Sequence, residues 1–191
     1  VNGLDPQGFR SEDWIKNGRQ GAFEVNNFTS PAFVARVNYH GVKGLRVGAS
    51  FYYNQTAKNG TKPWRNTGYK FPVTIVTGDL QYKGFNNNLI VRGALTTINN
   101  SSSAASGYPN TTVAQNAVSY GGEAGYNIGS FFHSKAPRIY PFIRYEYYNP
   151  MEKTEANTGL LADKRFQVSA VTAGLNYYAL PNLVIKADYT H

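Results

Sequence analysis

From residue 33 onward, apolar and polar side chains alternate with a period of two. In residues 139–149, IYPFIRYEYYN, Ile143, Tyr145 and Tyr147 share one parity and Arg144 and Glu146 the other. Successive side chains of a β-strand point to opposite faces, so this pattern predicts a strand with one aromatic face and one charged face. The same alternation predicts strands over residues 33–40, 45–54, 73–83, 89–98, 118–128, 139–148, 168–179 and 183–191. The charges within them are Arg36, Arg46, Asp79, Lys83, Arg92, Glu123, Arg144, Glu146, Lys186 and Asp188, and every one falls on the polar parity of its strand. Scattered placement does not produce this, and a helix does not have this period.

The connections carry a second pattern. Residues 41–44, 84–88 and 181–182 are short and rich in turn formers, and residues 130–138 form a slightly longer link. Between them lie long connections at about 55–71, 99–117 and 149–165. Short and long links alternate, as in outer-membrane barrels with short periplasmic turns and long extracellular loops. Residues 1–30 read as a polar loop segment preceding the strands. Ser11 could cap a short helix start there, which Gly18 and Gly21 break. The predicted fold is therefore all-β, an antiparallel up-and-down transmembrane β-barrel contributing about eight strands. A soluble β-sandwich is the other use of such alternation.

Aromatic placement follows the same plan. Tyr39, Tyr82, Tyr126 and Tyr177 close strands that run toward short turns, while Tyr53, Tyr145, Tyr147 and Tyr189 lie near long loops or the chain end. These tyrosines predict two girdles, one per membrane interface. Composition agrees. Charged residues make up 16% and aromatics 15%, with 15 Tyr, 19 Gly and a mean hydropathy of −0.43. Soluble domains carry about 25% charged residues. No run meets the length and apolarity of a membrane helix. There is no cysteine, which excludes a disulfide scaffold and a thiolate metal site. Val1–Arg10 has no apolar stretch of the signal-peptide kind, so a leader is expected to have been processed off or the chain to be an internal piece.

Several stretches carry a family resemblance. GLRVGASFYYN at 44–54, PFIRYEYYNPME at 141–152 and VTAGLNYYALPNLVIKADYTH at 171–191 resemble the C-terminal half of the phosphate-selective porins of Gram-negative bacteria, as do GLDPQGF at 3–9 and FVARVNY at 33–39. The resemblance implies a barrel of about sixteen strands in the bacterial outer membrane, often trimeric, with lipid and lipopolysaccharide around it. It also implies passive diffusion of small anionic solutes such as phosphate. With about eight strands, this chain is expected to be part of such a barrel. A complete eight-stranded barrel is the alternative; its interior would be filled by side chains and would not conduct, leaving a structural, adhesive or partner-binding role.

The net charge is +8 and the pI about 9.6. The expected pore-lining residues are Arg36, Arg46, Lys83, Arg92, Glu123, Arg144, Glu146, Lys186 and Asp188, with Asp79 on the same parity. Cations along a pore lower the barrier for anions, and Arg offers a fork that fits phosphate or carboxylate. The same residues also suit salt bridges that brace a wall, and Arg144, Glu146 and Glu123 are the group expected to form one. Lys58, Lys62, Arg65 and Lys70 make the 55–71 connection a basic loop without an acid, either a mouth that attracts anions or a lipopolysaccharide contact. No cofactor, metal or enzyme motif appears. His40, His133 and His191 lie on separate segments. Strand aromatics and strand charges occupy opposite faces, which argues against nucleic-acid binding.

Overall fold

The computed structural model describes residues 4–5, 8–18, 31–55, 72–101, 103, 112–132, 137–156, 158–180 and 182–191. Its eight strands are β1 (Phe33–Tyr39), β2 (Leu45–Asn54), β3 (Val73–Gly84), β4 (Leu89–Asn100), β5 (Asn116–Tyr126), β6 (Arg138–Lys153), β7 (Val168–Leu180) and β8 (Leu183–Thr190). They form one antiparallel sheet in sequential order, an up-and-down meander. The sheet is open: β1 and β8 are its two edges. Among the described residues there is no α-helix, only 3-10 turns at Lys16–Gly18, Ile128–Phe131 and Lys164–Phe166. Asp163 caps the last of these, and its hydrogen bonds from the Arg165 side chain and backbone hold the carboxyl below the ordinary aspartate range.

The strands run two or more residues beyond the alternation at three ends. β4 continues to Asn100, β5 begins at Asn116, and β6 continues to Lys153. The expected long connections at 99–117 and 149–165 shrink accordingly. β6 passes through Asn149-Pro150 because its register against β5 shifts between Asn116 and Val118, a bulge of the kind that tolerates proline.

Register assigns the two faces. On one, Val37, Val47, Val76, Leu80, Leu95, Ile143, Val171 and Ile185 are exposed large apolar side chains. The other carries the strand charges, apart from those at the end of β6, where the bulge sets Lys153 opposite Asn116. Its end near the long connections is apolar: Tyr52, Ile75 and Ile98 surround buried Val73 and Ala117.

That end is covered by the N-terminal segment. Phe9 and Trp14 stack with centroids 6.3 Å apart and are buried together with Val73, Val113, Ala114, Ala117 and Met151. Trp14 Nε1 donates to the Ala114 carbonyl at 2.8 Å, and Ser11 Oγ to the Thr112 carbonyl at 2.6 Å. Within the segment, the Asp5 amide donates to the Gly18 carbonyl at 2.7 Å. The described part of residues 1–30 is thus a folded strap that contributes two of the seven residues of the buried hydrophobic cluster found among the described residues, rather than a plain polar loop.

The short-turn end is held by Asn127. Its side chain accepts from the Gly129 amide (3.2 Å) and the Ile139 amide (3.0 Å) and donates to Asn88 Oδ1 at 3.0 Å. Tyr140 Oη adds a bond to the Asn87 carbonyl at 2.8 Å, so the β3–β4 and β5–β6 turns are tied together. The β3–β4 turn has Phe85, Asn86 and Asn87 at φ 49°, 55° and 67°. Asn tolerates this region; for Phe it costs about 1–2 kcal/mol.

Two substitutions probe these supports. Trp14→Ala should weaken docking of the strap by about 3–5 kcal/mol, read as new protease cleavage within residues 8–18. Asn127→Ala should destabilise the fold by about 1–3 kcal/mol, because it strands two amide donors at once; denaturant unfolding monitored by tyrosine fluorescence measures it.

Candidate functional site: the charged face

Two carboxylates organise the charged face, each shared by two arginines. Asp79 on β3 receives Arg36 Nη2 on Oδ2 at 2.7 Å and Arg46 Nη2 on Oδ1 at 3.0 Å. Arg36 sits on β1, so its guanidinium crosses the whole of β2 to reach β3. Register explains how: Gly48 lies between Asn38 and Asp79 in one cross-strand row. A Cβ at position 48 would strike both Arg36 Nη2 and Asp79 Oδ2. Asn38 Oδ1 accepts from Arg36 Nε at 3.1 Å and steadies the reach.

The second cluster is a row across three strands. Arg92, Glu123 and Arg144 lie directly opposite one another on β4, β5 and β6. Glu123 Oε2 accepts from Arg144 Nε at 2.9 Å and Nη2 at 2.7 Å. Arg92 Nη1 approaches Oε1 at 3.4 Å, and Glu146 stands 3.7 Å from Arg144 Nη1. The Phe142 ring lies 5.8 Å from the Arg144 guanidinium. The row continues through Thr172 to Thr190, whose hydroxyls are 2.9 Å apart.

Coverage is uneven within the pairs. The Asp79 and Glu123 side chains are mostly covered, whereas the Arg92 side chain is 56% exposed. The open side of this face therefore meets guanidinium more than carboxylate. The Asp79 group carries one excess positive charge; the Glu123 group is neutral when Glu146 is counted. A cavity of about 620 Å³ opens over this region, lined by Arg46, Gln81, Arg92, Glu123, Arg144 and Glu146. An arginine with one bond made keeps most of its five donors for an oxyanion.

All the expected pore-lining residues share the charged face, but only some meet. Arg36, Arg46, Arg92, Glu123, Arg144 and Glu146 join the two clusters. Lys83, Lys186 and Asp188 stand nearer the short turns, opposite Ile90, Asn176 and Gly174. Asp79, on the charged parity, is the hub of the first cluster, a role that parity alone does not mark; Gly48, directly opposite it on β2, is the residue that permits it. The basic loop residues Lys58, Lys62, Arg65 and Lys70 lie outside the described residues. On the apolar face, Tyr120 stacks on Tyr147 at 4.7 Å and lies 6.3 Å from Tyr145. Tyr189 shares a continuous row with Tyr82, five strands away, rather than standing at the long-loop end of its neighbours.

No family model and no curated protein matches this chain. What the structure defines is an all-β class: eight antiparallel strands in one meander, apolar on one face and arginine-rich on the other.

The Gly48 passage can be tested directly. A double-mutant cycle of Arg36→Ala and Asp79→Asn should give a coupling of about 0.2–1 kcal/mol, the range of partly exposed pairs. In a Gly48→Ala background that coupling should vanish while the Arg46–Asp79 coupling persists.

Proposed function

We propose that this chain forms part of the wall of a bacterial outer-membrane diffusion channel, working passively and without a cofactor, and preferring small anions such as phosphate. The observation that carries the reading is the apolar face, which stays uncovered across all eight strands while the strand charges, apart from those at the end of β6 beyond its bulge, lie on the opposite face. Monomers in water rarely expose a contiguous apolar patch beyond a few hundred Å². Lipid matches such a face, and β2 to β5, at 10 to 12 residues, have the length for it. Membrane strands need about 9–11 residues.

A spanning sheet in lipid must have its edges paired, since unbonded backbone groups there cost several kcal/mol. Closure into a barrel therefore belongs to the proposal. The strap lying on the charged face supports a barrel wider than eight strands, because an eight-stranded interior is filled by its own side chains. Anion preference rests on the guanidinium surplus around Asp79. The same strap also favours a second reading, a non-conducting barrel, since it covers the long-connection end of the inner face.

Planar-bilayer recording separates these readings. Conductance with a reversal potential favouring anions is the expected result; cation preference would sink the anion proposal, and absence of conductance in the correctly folded protein would favour the second reading. Asp79→Asn should raise anion preference a few-fold, because removing one charge about 4 Å from a passing ion is worth about 1 kcal/mol even in water. Simultaneous replacement of Arg36, Arg46, Arg92 and Arg144 should abolish it.

A further inference from the structure

Between the row of Arg92 and Arg144 and the strap-covered end, the charged face is floored by small side chains. In the row of Asp79 the partners on β4 and β5 are Ala94 and Gly121, and Glu146 follows on β6. Gly121 is required there: a Cβ would come 2.8 Å from the Tyr145 carbonyl oxygen. The next row toward the strap is hydroxylic, with Ser50, Thr77, Thr96 and Ser119 in line and Tyr148 beyond them on β6. Rows on one face stand about 6–7 Å apart and neighbouring strands about 4.8 Å. The result is a shallow trough, two rows wide, opening into the cavity of about 620 Å³ that Ala94, Ser119, Gly121, Glu146 and Tyr148 line together with the arginines.

The lining offers acceptors as well as donors. Arg92 stands beside Gln81 in one row and makes a single loose contact, to Glu123 at 3.4 Å. Asp79 and Glu123 each engage both oxygens with arginines. Glu146 does not: its side chain is 56% exposed, and Arg144 Nη1 stands 3.7 Å away. A carboxylate with open lone pairs repels a bare phosphate, but it accepts hydrogen bonds from a ligand that carries hydroxyls. Tyr148, on the same side, adds an exposed ring face with a hydroxyl at its tip. A cavity of this size suits an organic ligand, whereas a bare phosphate would leave most of it to water. From Arg92 to Glu146 is two strands and one row, about 12 Å between backbones. Both side chains are long and shorten that span to the length of a sugar phosphate.

We infer that the trough is a subsite for the phosphate monoester of a sugar or polyol, with the phosphate on Arg92 beside Gln81 and the hydroxyls donating to Glu146. This names the class of anion the charged face takes, and it rests on the anion reading above. Ala94 and Gly121 leave room for the body of the ligand, and Ser119 and Tyr148 bound it toward the strap.

Titration calorimetry on the detergent-solubilised protein tests this with four probes: glucose 6-phosphate, inorganic phosphate, n-hexyl phosphate and glucose. Glucose 6-phosphate should bind about tenfold more tightly than either other phosphate, the worth of a hydrogen bond to a charged acceptor. Glucose alone should bind more weakly than glucose 6-phosphate. Glu146→Ala should move the two anions in opposite directions, weakening glucose 6-phosphate about tenfold while inorganic phosphate tightens a few-fold as a repelling charge is lost. Arg92→Gln should weaken both. Equal binding of n-hexyl phosphate and glucose 6-phosphate overturns the inference, since bulk alone would then explain it, and equal binding of glucose overturns the need for a phosphate. A Glu146→Ala protein that tightens both anions overturns it too, because the carboxylate would then only repel; so does one that weakens both while still unfolding cooperatively in denaturant. Failure of glucose 6-phosphate to bind overturns the inference outright. The anion reading is judged separately by the reversal potential: if anion preference persists in that case, the channel reading stands without the subsite, and if it is absent, both fail.

Discussion

Strand register is the constraint on which the rest of this structure depends. The side-chain period is two, so a slip of one residue between neighbours would move every charge of a strand to the apolar face. Arg36 then could not reach Asp79, and Arg92, Glu123 and Arg144 would no longer share a row. Several features pin the register. Thr77 and Thr96 meet hydroxyl to hydroxyl at 3.0 Å across β3 and β4, and the Glu123–Arg144 pair is directly opposed across β5 and β6. Gly44, at φ 81°, fixes the β1–β2 turn where its carbonyl accepts from the Lys83 amide. Each contact is small alone, on the order of 0.2–1 kcal/mol for a cross-strand pair. Together they select one of the two ways a strand can face.

With the faces set, the charged one shows an economy of carboxylates. Two acids, Asp79 and Glu123, hold four arginines in place, so most of the guanidinium donors are oriented without being consumed. A one-to-one pairing would have neutralised the face and filled it. Glu146 partly restores balance around Arg144 but at a looser 3.7 Å. The arrangement thus braces the sheet and leaves it electropositive. Wall-bracing and anion attraction, which look like competing roles for any single arginine, are compatible when each acid serves two of them.

Much of this was legible from alternation alone. The eight strands, their order of short and long links and the membership of the charged face follow from parity, which is a local property. What escaped needs contacts between distant parts of the chain. Phe9 and Trp14 are isolated apolar residues in a polar stretch, with no period to mark them, and only their landing site on β3, β5 and β6 makes them core. A trace of that site was present: Val73, Ile75 and Ile98 sit on the charged parity, where water would disfavour them, and such exceptions signal a cover. The Asp79 hub required knowing that Gly48 lies beneath the path from Arg36, which parity does not encode. Parity ends β6 early because Asn149-Pro150 has the chemistry of a loop; a bulge against β5 makes it a strand.

The strap and the arginine rows are linked by those exceptions. Because the apolar residues of the charged parity cluster at the long-connection end, the strap can dock only there, and Trp14 and Ser11 fix it to residues 112–114 rather than to the arginines. The inner face is thereby divided along its length into a dry, covered end and an open, cationic middle. In the proposed channel a solute would pass the edge of the strap before meeting Arg92 and Arg46. There the strap would narrow the approach, and the arginines would act on what the narrowing admits. Such a division needs an interior wide enough to hold a folded segment beside a solute path. In the proposed channel the width of the barrel, the packing of Phe9 and Trp14 and the exposure of Arg92 are therefore one requirement seen at three places.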